Sequence, residues 1–187
     1  MSVWIGTETG GGLVQQPLIP MSDHGFSLGD GLYETMRTHA GHVPFWNDHL
    51  ARLARSAESL RLSLPSLAEF EAARDGVVGA QAGRLRFTLT SGDGPAGLRR
   101  GSGWRLVAAW QPLLPVPNQV SLATSEVRRN EHSLLVGLKT ISQMESVLAL
   151  AQARELGADE ALLLNQVGEV AEGSHSNVFA VVAGELV

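Results

Sequence analysis

Residues 134–179 read LLVGLKTISQMESVLALAQARELGADEALLLNQVGEVAEGSHSNVF. The apolar run around Lys139 predicts a half-buried strand. Apolar residues at Met144, Val147, Leu148, Ala151 and Leu156 recur at helical spacing, and Gly157 stands where a helix would end. EALLLN (160–165) predicts a buried strand, NQVGEV its turn and exit, and VFAVV (178–182) a further strand. AEGSHSN lies between the last two. Strand, helix and strand in this order predict an α+β fold with chemistry-bearing residues at its turns.

Lys139 is the only lysine beside thirteen arginines. Arginine serves wherever a cation is needed for solubility, but not where a reaction needs a primary amine. Burial in an apolar run would favour the neutral, nucleophilic form of that amine. A chance lysine in an arginine-rich composition is the bland alternative.

With 44% apolar residues and a mean hydropathy of +0.05, the chain can bury a core. Its apolar runs are too short to span a bilayer, and no basic segment with a long apolar stretch opens it as a secretory signal. The absence of cysteine excludes disulfides and thiolate ligands and is compatible with the cytoplasm. A net charge of −5 gives no reason to expect nucleic acid as a partner. Small molecules and copies of the chain remain. The six histidines follow no metal-ligand spacing, so no metal site is expected; His132 and His175 lie near the Lys139 segment in sequence.

From the N-terminus, VWIG predicts an edge strand, a GGG turn follows, and LYETMRTH alternates as a strand after Gly-bearing loops. FWNDHLARLARSAESLRL (45–62) has Leu50, Leu53, Ala57 and Leu60 on one helical face, with Asn47 or Asp48 suited to cap it. Residues 66–82 predict a second helix, weakened by Gly76 and Gly79. GRLRFTLTSG alternates strictly, WRLVAAW is another strand, and the intervening glycine-rich loop carries Arg99 and Arg100. QPLLPVPN has the proline density of a linker. This divides the chain into residues 1–111, a linker at 112–119, and a second domain at 120–187 whose first strand is VSLATSEV.

The order KT, helix, GADEALLLN, GEVAEGSHSNVF, together with HLARL and GDGLYET upstream, resembles the fold-type IV enzymes that use pyridoxal 5′-phosphate. These comprise branched-chain and D-amino acid aminotransferases and 4-amino-4-deoxychorismate lyases. The resemblance implies an N-terminal α/β sandwich and a C-terminal pseudobarrel. It implies that Lys139 binds the cofactor aldehyde, that Glu172 faces the pyridine nitrogen, and that Arg52 contacts the phosphate. Ser176 and Asn177 would hydrogen-bond around the ring, although Ser and Asn are also common turn formers. Tyr33 would face the substrate side of the cofactor and Arg86 the substrate pocket. Arg99, on its loop, could receive a substrate carboxylate.

Thr35 stands where the lyases tend to carry threonine, which makes it a candidate catalytic hydroxyl and favours pyruvate elimination from aminodeoxychorismate. Amino acid transamination is the alternative, and a non-catalytic binding protein on the same fold a third. The resemblance implies a homodimer. It also predicts that family-length chain continues beyond residue 187, so that the pseudobarrel and phosphate cup are incomplete within these residues.

Overall fold

The computed structural model describes residues 1–187, which divide into two units: Met1–Leu114 with Leu138–Ser142, and Pro115–Gly137 with Gln143–Val187.

The first unit is built on an antiparallel sheet of five strands: β1 (Ser2–Thr7), β2 (Gly10–Leu13), β3 (Gly31–Thr38), β4 (Gly83–Thr90) and β5 (Arg105–Pro112), in the order β2-β1-β5-β4-β3. VWIG is therefore an interior strand, not the expected edge, because its partners β2 and β5 lie on either side. Period-two alternation assigns the faces. Leu32 and Met36 of β3, Leu85, Phe87 and Leu89 of β4, and Leu106, Ala108 and Trp110 of β5 form one buried side. That side packs against α2 (Trp46–Leu60) and α3 (Leu67–Val77) through Leu53, Ala57, Phe70, Ala73 and Val77. Phe87 sits at its centre, 5.8 Å from the Trp46 ring and 5.6 Å from Phe70. Burying each such side chain contributes about 1.5–3 kcal/mol.

The helix signals hold in part. Ser66 and Glu69 form a capping box at α3, which ends at Val77, short of the expected 82. α2 starts earlier than expected. Phe45, in the left-handed region at φ 58°, precedes Trp46, so Asn47 and Asp48 fall inside the first turn and neither caps it. There the Asp48 carboxylate complements the helix dipole. A short helix, α1 (His24–Leu28), was not foreseen; Asp23 caps it by accepting the Phe26 N–H at 3.1 Å.

Residues 138–142 belong to this unit but are not the predicted strand. The Lys139 carbonyl accepts the Tyr33 N–H at 2.8 Å and the Ile141 N–H donates to the Gly31 carbonyl at 3.0 Å, a single bridge along the β3 edge. Upstream, Gly137 takes φ 79° and a turn closes from Val136 N–H to the Ser133 carbonyl, so Leu134, Leu135 and Val136 are exposed rather than half-buried.

In the second unit β6 (Leu122–Arg129) runs parallel to β7 (Glu160–Asn165), with α4 (Met144–Glu155) as the crossover helix between them. β8 (Val170–Gly173) returns antiparallel beside β7. This three-stranded sheet is open and closes no barrel. β9 (Val181–Val182) and β10 (Glu185–Leu186) form a small hairpin that the mutual Ala180–Val187 backbone bonds extend, so Val178 and Phe179 of the expected 178–182 strand stay outside it. The core is made of small residues: Ala149 and Ala153 of α4 against Ala158, Ala161 and Leu163. The larger α4 residues Met144, Val147 and Leu148 point outward, the reverse of the usual inward apolar stripe. No helix is long and apolar enough to cross a membrane.

Candidate active site

The sheet face opposite the two helices carries the first cluster. Tyr33 and Thr35 on β3 lie opposite Thr88 and Arg86 on β4. The Arg86 guanidinium carbon stands 3.9 Å from the centroid of the Tyr33 ring, and the Lys139 amine 5.0 Å from it. Cation–π attraction thus places an amine and a guanidinium at one aromatic ring. Burial lowers the Arg86 pKa, Tyr33 opposes that and Arg84 adds to it. Within its unit Lys139 makes no ion pair. The backbone bonds made by its own carbonyl and by the Ile141 amide hold it to β3 while leaving the amine available.

Arg52 lies elsewhere. Its Nε and Nη2 donate to the two oxygens of Glu34, each at 2.6 Å, and Glu34 is 1% exposed on the helix-covered face. His49 Nδ1 stands 2.8 Å from Glu34 Oε2. The carboxylate raises the Arg52 pKa against the opposing effect of burial. The Nη1 edge of the guanidinium makes no hydrogen bond, so Arg52 has one edge bound and one to offer.

The glycine-rich loop after β4 is tied down more than its composition suggests. Arg100 donates to both oxygens of Asp30 and to the Leu60 carbonyl, and His24 Nε2 lies 2.9 Å from the Pro95 carbonyl. Arg100 is therefore committed within the fold. Arg99 beside it is exposed.

In the second unit Glu172, on β8, accepts a hydrogen bond from Arg129 Nε at 2.8 Å through Oε1. Arg129 also reaches Glu145 and Ser146. Ser174 and Ser176 turn toward Glu160, a carboxylate only 6% exposed at the start of β7. Glu160 accepts from the Ser174 hydroxyl and amide, from Ser176 Oγ at 2.8 Å and from the Ala161 amide at 2.7 Å, and His175 Nδ1 lies 2.9 Å away. Burial pushes its pKa up, but the hydrogen bonds from Ser174, Ser176 and Ala161 outweigh this and hold it below the usual carboxylate value. Asn177 is exposed. Ser176 is thus a brace of its own turn, a role its sequence did not announce.

Of the residues singled out in the sequence, the structure brings Lys139 and Arg86 to the Tyr33 ring and sets Thr35 opposite Arg86. Sequence reasoning missed Glu34, Glu160 and Arg129, each a partner of a predicted site residue. Their only sequence signal is a charged residue within an otherwise apolar or alternating strand.

Known proteins show the same arrangement of sequence. The family model described as amino-transferase class IV matches residues 31–187. A protein of Methanocaldococcus jannaschii named as a branched-chain-amino-acid aminotransferase is 32% identical over 90% of this chain and 62% of its own length. D-alanine aminotransferase of Bacillus licheniformis is 30% identical over 86% of this chain and 59% of its own. The crystal structure of 4-amino-4-deoxychorismate lyase from Pseudomonas aeruginosa superposes with a TM-score of 0.82 at 27% identity, covering 97% of this chain and 68% of the other. The chain thus spans about three fifths of the two relatives matched by sequence.

Proposed function

Because this chain belongs to the class IV aminotransferases, a family of pyridoxal-phosphate enzymes, we propose that it binds that cofactor through Lys139 and acts on an amino-bearing substrate. The substrate that the residues support best is 4-amino-4-deoxychorismate, which loses pyruvate to give 4-aminobenzoate. The observation that carries the cofactor reading is the Tyr33 ring, with the sole lysine amine on it at 5.0 Å and a guanidinium at 3.9 Å, and Thr35 in its GDGLYET context supports the choice of the lyase.

The residues fit the cofactor. Lys139 is an amine with no ion pair in its unit, and Glu172 keeps Oε2 without a hydrogen bond from the protein. Arg52 has its Nη1 edge to give a phosphate, and Asn177 is an exposed donor that could serve the ring, whereas Ser176 already gives its hydroxyl proton to Glu160. Once bound, the cofactor supplies an electron sink for the pair left when a bond at the amine-bearing carbon breaks. Glu172 would hold the ring nitrogen protonated, as a carboxylate beside a basic nitrogen does. Lys139 takes the proton from the amine-bearing carbon as general base. The proton that Lys139 gains would pass to the departing enolpyruvate, directly or relayed through the Thr35 hydroxyl, which ends neutral. Tyr33 packs against the substrate side, and Arg86 or Arg99 orients a carboxylate by a forked contact.

Transamination is the second reading, favoured by the 32% identity to the archaeal protein named as a branched-chain aminotransferase. The two part after proton removal. The enzyme is to be given aminodeoxychorismate and, separately, alanine, glutamate and branched-chain amino acids of both hands. The lyase forms 4-aminobenzoate and pyruvate and keeps its cofactor in the aldehyde form. Conversion of the cofactor to pyridoxamine phosphate by an amino acid, without 4-aminobenzoate, replaces the lyase by the transaminase. Protein that never acquires a cofactor absorbance band is a binding protein on this fold. Gel filtration tests the homodimer that the family resemblance implies.

A further inference from the structure

Glu34 stands on the face of β3 that the helices cover, between Leu32 and Met36 and directly across from Phe87 on β4. Those three neighbours are fully buried and apolar, and Glu34 is itself 1% exposed. An apolar side chain at this position would need no partner, whereas a carboxylate must replace its lost hydration with close donors. Packing alone therefore gives no reason for an acid here.

The donors do. Arg52 gives Nε and Nη2 to the two carboxylate oxygens, each at 2.6 Å. His49, three residues earlier on the same face of α2, has Nδ1 2.8 Å from Oε2. Both Glu34 oxygens accept, so Nδ1 carries the proton there, and Arg52 Nη2, 3.2 Å from Nδ1, cannot donate to it. Two bonds in a planar fork fix the guanidinium in orientation as well as in place. With the carboxylate in the core and the Arg52 side chain 41% exposed, the Nη1 edge is held toward solvent and the carboxylate lies behind it.

We propose that Glu34, braced by His49, is a positioning residue that holds the Arg52 Nη1 edge ready for the cofactor phosphate, and so sets how strongly the protein prefers the phosphorylated cofactor. The inference rests on the cofactor reading above and adds to it two residues that act through Arg52. Two effects of Glu34 on an approaching phosphate oppose each other. Its negative charge repels the anion, and on that ground alone removing the charge would tighten binding. Its two hydrogen bonds order Arg52 in advance, so that binding an anion no longer has to freeze a long, solvent-facing side chain. The repulsion acts past the guanidinium and into solvent, where water and salt screen it, while the ordering acts in full. Positioning is the larger effect, and the sign of the change in a Glu34 variant decides between the two.

The test is calorimetric binding to the full chain, freed of cofactor, of pyridoxal 5′-phosphate and of pyridoxal, which lacks the phosphate. Imine absorbance is read on the same samples. One charge-assisted contact predicts that the parent prefers the phosphorylated ring by about 10- to 100-fold. Glu34→Gln turns an amide NH2 against the guanidinium and should cut that preference about tenfold, with pyridoxal affinity unchanged. Glu34→Asp, which keeps the charge but draws it back by one carbon, should fall between. His49→Ala, which removes only the brace, should cut the preference about two- to threefold. A merely structural Glu34 would lower the melting temperature and both affinities together and leave the preference where it was.

A preference that is unchanged or rises in Glu34→Gln overturns the positioning role, the rise because charge then outweighs order. If Glu34→Gln does not fold, the preference must fall in both Glu34→Asp and His49→Ala, and parity with the parent in either overturns the proposal. A parent with no preference for the phosphate overturns it as well. A preference that depends on Glu34 without an imine band refutes the proposed function and keeps the positioning; an imine band with a preference independent of Glu34 refutes the positioning alone.

Discussion

Glu34, 1% exposed, takes both hydrogen bonds that Arg52 donates from Nε and Nη2, each at 2.6 Å. Without the guanidinium, this carboxylate keeps only His49. Arg52→Ala is expected to lower stability by about 2 kcal/mol, less than the roughly 3–5 kcal/mol for a fully buried pair because Arg52 is partly solvated. Arg52→Lys should lose less. Urea denaturation measures both, and a loss in Arg52→Ala below about 0.5 kcal/mol would mean that His49 alone holds Glu34.

Borohydride treatment of the cofactor-loaded protein should fix the cofactor covalently to the peptide containing Lys139, read by mass spectrometry. Arginine has no amine that can take that role. A label confined to the N-terminal amine, or no label, removes Lys139 from the mechanism.

Glu172→Gln should bind cofactor with nearly unchanged absorbance yet lose most turnover, on the order of a hundredfold or more, as expected when a neutral amide no longer holds the ring nitrogen protonated. Turnover within a fewfold of the parent would show that Glu172 serves only as the partner of Arg129.

Glu160 predicts a pH dependence. Its pKa in the folded protein is lowered, so its contribution is complete above the ordinary glutamate range and is lost as pH falls through the folded value. Glu160→Gln should lower stability by about 2 kcal/mol at neutral pH, because an amide cannot accept all the bonds from Ser174, Ser176 and Ala161. The variant's stability should also vary less between pH 7 and pH 4 than the parent's. Parallel pH profiles for the two would show that Glu160 is not the group that titrates.

The alternating strands were plain in the sequence because period two survives in GRLRFTLT and LYETMRT, and Leu85, Phe87 and Leu89 are buried as that pattern requires. Lys139 stood out in the sequence by its singularity, and its amine lies 5.0 Å from the Tyr33 ring. Its local structure was not, since an apolar run such as LLVGLK reads alike whether it pairs or turns, and the left-handed Gly137 decided the matter. Glu160 was hidden because DEALLL looks like a solvated strand start; the serines that brace it lie 14 and 16 residues downstream. On α4 the composition misled, since the helix buries alanine and serine and exposes its larger apolar side chains.

The segment at 139–141 is hydrogen-bonded to β3 through main-chain groups, the Tyr33 amide and the Gly31 carbonyl. Main-chain pairing is indifferent to side-chain identity, so exchanges at the exposed Leu134, Leu135 and Val136 should leave the amine at the sheet edge, provided the left-handed Gly137 is kept. Gly31 is the exception to that freedom: a Cβ there would come within 2.4 Å of the Leu89 carbonyl oxygen and 2.9 Å of the Ile141 side chain. The position of the lysine therefore depends sterically on a glycine 108 residues before it in sequence as well as on Gly137 beside it.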